Sequence, residues 1–273
     1  MKIAFIGGGN MAAALVAGLA RQQGTAANIH VVDPSPEALE RLVQQYGVST
    51  ATAIGDEVRA SEVVVLAVKP QQMRAVAAQL APHLRSDHSQ LVLSIAAGIR
   101  SADLARWLNG YQAIVRTMPN TPALIGQGVT GMVATPGVSE AQRLAADAVL
   151  RAVGATVWLD DEALIDPVTA VSGSGPAYVF FFLEAIQEAA RRMGLSEEQG
   201  RALAQATFTG AAQLAAESHE PVEVLRQRVT SKGGTTHAAI SSMEAAGVKE
   251  AIVAAMQAAA ARGKELGEEL GRD

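Results

Sequence analysis

Two short stretches of this sequence put glycines and hydroxyls where backbone N–H groups can meet an anion. The first, Ile6-Gly7-Gly8-Gly9-Asn10-Met11-Ala12, fits G-x-G-x-x-A through Gly7, Gly9 and Ala12. Between a strand and a helix that spacing suits a dinucleotide. Gly7 permits a tight turn, Gly9 lets the backbone approach a pyrophosphate, and small Ala12 lets helix and strand pack closely. The second, Ser231-Lys232-Gly233-Gly234-Thr235-Thr236, sets two glycines among hydroxyls directly before an apolar helical pattern over residues 238–246. A helix N-terminus offers unpaired donors and partial positive charge, so this turn is a seat for a second anion.

The elements around the first stretch decide its meaning. An apolar run at residues 2–6 precedes it, a helical pattern covers 11–21, and a second apolar run at 29–32 ends at Asp33. That strand–helix–strand context raises a weak motif to a nucleotide site. Asp33 stands where a carboxylate accepts hydrogen bonds from an adenosine ribose, the NAD signature, and would repel a 2′-phosphate. Ser35 could donate to such a phosphate. Asp33 reads equally well as the start of the Pro34-Ser35-Pro36 turn.

Alternation continues, with strands expected at 48–50, 63–68, 91–95 and 113–115 and helices at 37–46, 54–60, 70–80 and 101–108. Strands at 129–134 and 156–159 flank a helix at 139–151. This pattern predicts an α/β Rossmann-type domain over residues 1–160, its sheet mostly parallel with helices on both faces. Ligands of such sheets bind beyond the carboxyl ends of the strands. The loops there are Val68-Lys69-Pro70, Ala96-Ala97-Gly98 and Met118-Pro119-Asn120-Thr121-Pro122. Lys69, at the end of a buried strand, is expected to contact a cofactor.

From residue 163 strand signals vanish, and helices are expected at 178–193, 197–216, 221–228, 236–246 and 248–266. Residues 161–273 thus read as an all-α domain. Its first helix is apolar on every side at residues 178–183, which predicts burial against a partner chain and an obligate homodimer.

Composition narrows the function. A chain of 273 residues, 49% apolar, has room for two cores. A net charge of −5 without a basic run argues against nucleic acid. With no cysteine there are no disulfides, thiolate ligands or thiol nucleophile, and no metal site is read. No apolar run has the length of a membrane span, and the first is too short for a signal-peptide core. The expectation is a soluble cytoplasmic protein with no membrane partner.

A cofactor domain joined to a helical domain suggests hydride transfer to a substrate held between them. The five lysines are Lys2, Lys69, Lys232, Lys249 and Lys264. None lies on the helix 176–193, which counts against a β-hydroxyacid dehydrogenase. His30, His83 and His88 are expected at edges or turns, in solvent, and His237 as a helix N-terminal residue. The site is poor in acid–base groups and rich in backbone donors. Reduction of an already protonated C=N bond suits it.

Six blocks carry a family resemblance in order along the chain. They are Ile6-Gly7-Gly8-Gly9-Asn10-Met11-Ala12, Ala67-Val68-Lys69-Pro70, Ser94-Ile95-Ala96-Ala97-Gly98, Met118-Pro119-Asn120-Thr121-Pro122, Val171-Ser172-Gly173-Ser174-Gly175-Pro176-Ala177-Tyr178 and Ser231-Lys232-Gly233-Gly234-Thr235-Thr236. Together they resemble the pyrroline-5-carboxylate reductases. The resemblance implies reduction of 1-pyrroline-5-carboxylate to L-proline with NADPH or NADH, the last step of proline biosynthesis. It implies a helical domain interlocked in a homodimer, often assembled further into decamers.

The resemblance also implies roles. Ile6, Gly7, Gly8, Gly9, Asn10 and Met11 would hold the pyrophosphate, with Asp33 and Ser35 near the adenosine ribose. Ala67, Val68, Lys69, Pro70, Ala96 and Ala97 would line the nicotinamide side, and Asn120 would lie near the nicotinamide ribose or carboxamide. Ser231 and the N–H groups of Gly233, Gly234 and Thr235 would grip the substrate carboxylate, while the Thr236 hydroxyl reaches the ring nitrogen. Two residues depart from the pattern: Lys232 stands where the family usually has proline, and Asp33 where NADPH users carry neutral or hydroxyl residues. NADPH is expected, with NADH usable. The alternatives are a related imine or β-hydroxyacid reductase and a non-catalytic dinucleotide sensor. A sensor has no evident need for a second anion seat.

Overall fold

The computed structural model describes residues 1–272, which divide into two compact units. One is Met1–Ser174 joined by the end of the chain from Ala259; the other is Gly175–Ala258. The first unit begins β1 (Ile3–Ile6), α1 (Asn10–Gln23), β2 (Ile29–Val32), α2 (Pro36–Tyr46), β3 (Ser49–Ala51), α3 (Asp56–Ala60) and β4 (Val63–Leu66). It continues α4 (Pro70–Leu80), β5 (Leu91–Ser94), α5 (Ser101–Trp107), β6 (Ile114–Met118), β7 (Gly128–Ala134), α6 (Glu140–Arg151) and β8 (Gly154–Trp158).

These strands form one eight-stranded sheet in the order β3-β2-β1-β4-β5-β6-β7-β8. Every pair is parallel except β6 with β7. Strands β1, β2, β4 and β5 are buried at every position, because helices cover both faces. Alternate side chains serve separate cores: Ile3 and Phe5 pack with Leu15, Leu19 and Leu42 on one face, Ala4 and Ile6 with Met73, Leu80 and Leu104 on the other. Each of the isoleucine, phenylalanine, leucine and methionine side chains contributes about 1.5–3 kcal/mol by leaving water. The chain winds outward from β1 in both directions, with β2 on one side and β4 on the other, and so creates the switch point where ligands bind.

The sheet stops at Trp158, but the compact unit does not stop at 160. A turn at Glu162–Leu164, α7 (Ile165–Val168) and a π turn at Thr169–Gly173 fold back on the sheet and bury Ile165 and Ala170. Gly131 and Gly173 make room for this segment, since a Cβ there would lie 2.6 Å from Val168 and 2.5 Å from Met118.

In the second unit α8 (Gly175–Arg192) packs on α9 (Glu197–Glu217), followed by α10 (Val222–Arg228), α11 (Thr235–Ala245) and α12 (Val248–Leu270). Phe180 and Phe181 of α8 are 60% and 69% exposed, so the helix expected to be buried needs a further surface to cover it. Tyr178, Phe181, Phe182, Ile252, Ala255 and Met256 line a cavity of about 340 Å³ beside them. The last part of α12 belongs to the sheet unit. There Leu270 lies against Gly98, and the Arg106 guanidinium donates to the Gly271 carbonyl at 2.9 Å.

One expectation needs correction. His30 is not solvated but buried within β2, because a parallel strand covered on both faces has no wet side. His83 and His88 are half-buried; His88 Nδ1 accepts the Gln112 N–H at 3.1 Å and its ring lies 4.6 Å from that of Tyr111. His30 Nδ1 pairs with the Ser49 hydroxyl at 2.9 Å, while Nε2 has no partner among the described residues. Burial lowers its pKa from 6.5, with the charge of Glu57 acting in the opposite sense. The unfolded chain therefore binds the proton more readily, and stability present above pH 6.5 is lost as pH falls below it. Melting temperature should decline from about pH 7.5 to about pH 5.5, and His30→Gln should make that decline shallower. Equal slopes for the two chains would remove His30 as its cause.

Candidate active site

The glycine turn lies at the switch point, and its shape follows from contacts a side chain would break. Gly7 has φ +108°, and a Cβ there would sit 2.6 Å from the Ala67 carbonyl oxygen. Its N–H donates to the Val32 carbonyl at 2.7 Å, and the Ala67 N–H donates to the Ile6 carbonyl at 2.8 Å. At Gly9 a Cβ would meet nothing within 4 Å, so this is the open side of the turn. Helix α1 has no side-chain cap and no acidic residue in its first turn. Among the described residues the N–H groups of Gly9, Asn10 and Met11 have no acceptor. Unpaired donors at the start of a 14-residue helix, open to approach, fit a diphosphate.

Asp33 takes the turn reading, with both of its carboxylate oxygens on backbone N–H groups. Its Oδ2 accepts the Gly8 N–H at 2.7 Å and its Oδ1 accepts the Ser35 N–H at 2.8 Å. It therefore starts the turn after β2 and tethers the glycine turn with the same carboxylate. The Ser35 hydroxyl accepts the Ala38 N–H at 3.3 Å and caps α2. A negative charge is thus held at the carboxyl end of β2.

The loops beyond β4, β5 and β6 lie on the same sheet edge. Ala67 and Val68 are half-buried, Lys69 is exposed, and Pro70 opens α4 where its missing N–H has no consequence. Ala96 is buried and Ala97 exposed. Asn120 is buried, and its amide is engaged on two sides. Oδ1 accepts the Val129 N–H at 2.9 Å, and Nδ2 donates to the Ser172 carbonyl at 3.1 Å. Its first contribution is therefore the shape of the loop, with one N–H hydrogen left over. Sequence reasoning did not single out Arg116 or Glu162, which pair at 2.8 Å. An arginine inside an otherwise apolar strand was the available signal.

The second glycine stretch lies in the helical unit. Gly233 adopts φ +76°, and Gly234 is the extended residue before α11. The Gly234 N–H, expected to grip a carboxylate, instead donates to the Ser231 carbonyl at 3.0 Å and closes the turn. Among the described residues the N–H groups of Gly233, Thr235, Thr236 and His237 have no acceptor, and no side chain caps the helix. Ser231, Lys232, Gly233, Thr235 and His237 are exposed, and Thr236 is half-buried. No acidic residue occupies the first turn of α11.

A doubly wound sheet with an uncapped glycine turn at its switch point defines a class, the Rossmann-type dinucleotide-binding proteins. Residues 2–98 match the family described as NADP oxidoreductase, coenzyme F420-dependent, and residues 162–266 the family described as pyrroline-5-carboxylate reductase dimerisation. The chain is 48% identical to the pyrroline-5-carboxylate reductase of Pseudomonas aeruginosa, over 99% of its own length and 98% of the relative's. A solved pyrroline-5-carboxylate reductase from Coxiella burnetii is 40% identical, with a TM-score of 0.93 over 97% of this chain and 98% of that one. The Plasmodium falciparum pyrroline carboxylate reductase, solved with NADP bound, is 29% identical, with a TM-score of 0.85 over 98% of both chains. The chain belongs to the pyrroline-5-carboxylate reductase family.

The carboxylate on Gly8 generates a test of cofactor choice. Asp33→Ser should raise the NADPH-to-NADH ratio of kcat/KM about tenfold, the loss of one charged hydrogen bond and of one repulsion. An unchanged ratio would leave Asp33 as a turn residue only.

Proposed function

We propose that this chain reduces 1-pyrroline-5-carboxylate to L-proline with NADPH or NADH, as the last step of proline biosynthesis. The observation that carries this reading is the second uncapped helix N-terminus, at α11. The phosphates already have a seat at α1, so this one is left for a smaller anion, the substrate carboxylate. Family membership over nearly the whole chain supports the same substrate.

The nicotinamide, when bound, supplies a hydride to the imine carbon. The C=N π pair moves onto a nitrogen that already carries its proton, so the chain need not deliver one. Its own residues bind and orient. Gly9, Asn10 and Met11 receive the diphosphate, and Asp33 with Ser35 the adenosine ribose. Ala67, Val68, Lys69, Pro70, Ala96, Ala97 and Asn120 shape the nicotinamide side. Gly233 and Thr235 donate N–H groups to the carboxylate beside Ser231, and the Thr236 hydroxyl oxygen accepts the iminium N–H. The Lys232 ammonium, exposed and without an ion pair among the described residues, adds attraction for the carboxylate.

The dimerisation match and the uncovered apolar face of α8 support a homodimer. Assembly of dimers into decamers and a cytoplasmic setting complete the reading. No helix among the described residues is long and apolar enough to cross a membrane. Light scattering on the purified chain measures the assembly.

NADPH and NADH oxidation, followed with and without pyrroline-5-carboxylate, tests the activity; no substrate-dependent oxidation would overturn it. Thr236→Ala should lower kcat/KM by about 1–3 kcal/mol, roughly tenfold to a hundredfold, with cofactor affinity nearly unchanged. Full turnover in that variant would remove the role given to Thr236.

A further inference from the structure

Arg116 is a guanidinium inside the sheet, only 4% exposed on β6. Its Nη1 meets Glu162 Oε1 at 2.8 Å, and the same oxygen accepts the N–H of Ser101, the first residue of α5, also at 2.8 Å. One carboxylate thus joins β6, the start of α5 and the segment that leaves the sheet after β8. The pair is not an economical source of stability. Burying the Arg116 charge offsets much of the attraction, the Glu162 carboxylate keeps some contact with water, and Arg116 Nε has no partner among the described residues.

The same two stretches of chain are tied a second time, a few residues further on. Asn120 Nδ2 donates to the Ser172 carbonyl, and Gly173 lies against Met118. Between the ties run Thr117, Met118 and Pro119 on one side, α7 and the π turn on the other. Single π turns are an uncommon geometry that recurs at functional sites. A stretch clamped at both ends holds one shape, and directional hydrogen bonds define that shape more narrowly than apolar packing does.

We propose that the Arg116–Glu162 ion pair is a positioning device that holds the Met118-Pro119-Asn120 loop in the form that receives the nicotinamide half of the cofactor. This rests on the reading of that loop as the nicotinamide side. Arg116 and Glu162 act through the loop and Asn120, without touching substrate themselves.

The test compares NADH with ADP-ribose, which lacks the nicotinamide, by calorimetry on the full chain, with melting temperature recorded for each variant. Glu162→Ala should weaken NADH about tenfold and leave ADP-ribose within about twofold, and Glu162→Gln should restore most of the loss. If Glu162→Ala does not fold, Arg116→Lys carries the test, since it keeps the charge and loses the planar fork; the same NADH-selective loss is expected. Equal losses for both ligands, or no loss for either, overturn the proposal. Asn120→Ala separates the two levels. If it weakens NADH selectively while the Glu162 and Arg116 variants do not, the ion pair fails as a positioning device. If none of the variants discriminates between the ligands, the assignment of the loop to the nicotinamide fails, and the proposal with it.

Discussion

At Gly7 the end of β1 passes so close to Ala67 that a methyl group would lie 2.6 Å from a carbonyl oxygen, on backbone that side chains rarely adopt. Because that space is free, β1 and β4 stay paired to their carboxyl ends and the Ala67 N–H reaches the Ile6 carbonyl. The turn then rises directly into α1, whose unpaired N–H groups come to the sheet edge at the switch point. Gly8 is carried within 2.7 Å of Asp33 by the same turn. The open donors of α1 and the place of the Asp33 carboxylate thus share one geometric condition.

The helix ends of this chain differ in how their first N–H groups are satisfied. Ser35, Ser139 and Ser196 cap α2, α6 and α9, and the Glu162 carboxylate serves the first N–H of α5. Helices α1 and α11 have neither device, and glycines open the approach to both. An uncapped end alone does not mark a site, since α4 begins uncapped at Lys69. Unpaired donors, open approach and a first turn without acidic residues together favour an anion. Such seats bind and orient charge without exchanging protons, which is what hydride delivery to an iminium carbon requires.

Much of this was legible in the sequence. Strands β1, β4 and β5 are continuous apolar runs because both of their faces are covered, and glycine and proline punctuate their ends. Other features depend on partners distant in sequence. His30 looked like an edge residue because its burial comes from helices packed on the sheet. Residues 162–174 have no regular apolar period; they join the sheet unit through Ile165, Ala170 and contacts at Gly131 and Gly173. The Arg116–Glu162 pair spans 46 positions. Within the second glycine stretch, the motif named the residues but not which N–H the turn itself consumes. Gly234 is that one.

The last turns of α12 have a consequence for how the chain is made. The dinucleotide unit begins at Met1, yet its packing around Gly98 and Arg106 includes residues 267–271. A nascent chain can pair β1 to β8 early, but Leu270 is supplied only after the helical unit has been made. Completion of the loop after β5 therefore waits for the whole helical unit to emerge. A protein cut short after α11 would carry its glycine turn without the side chain that lies against Gly98 and the carbonyl that receives Arg106.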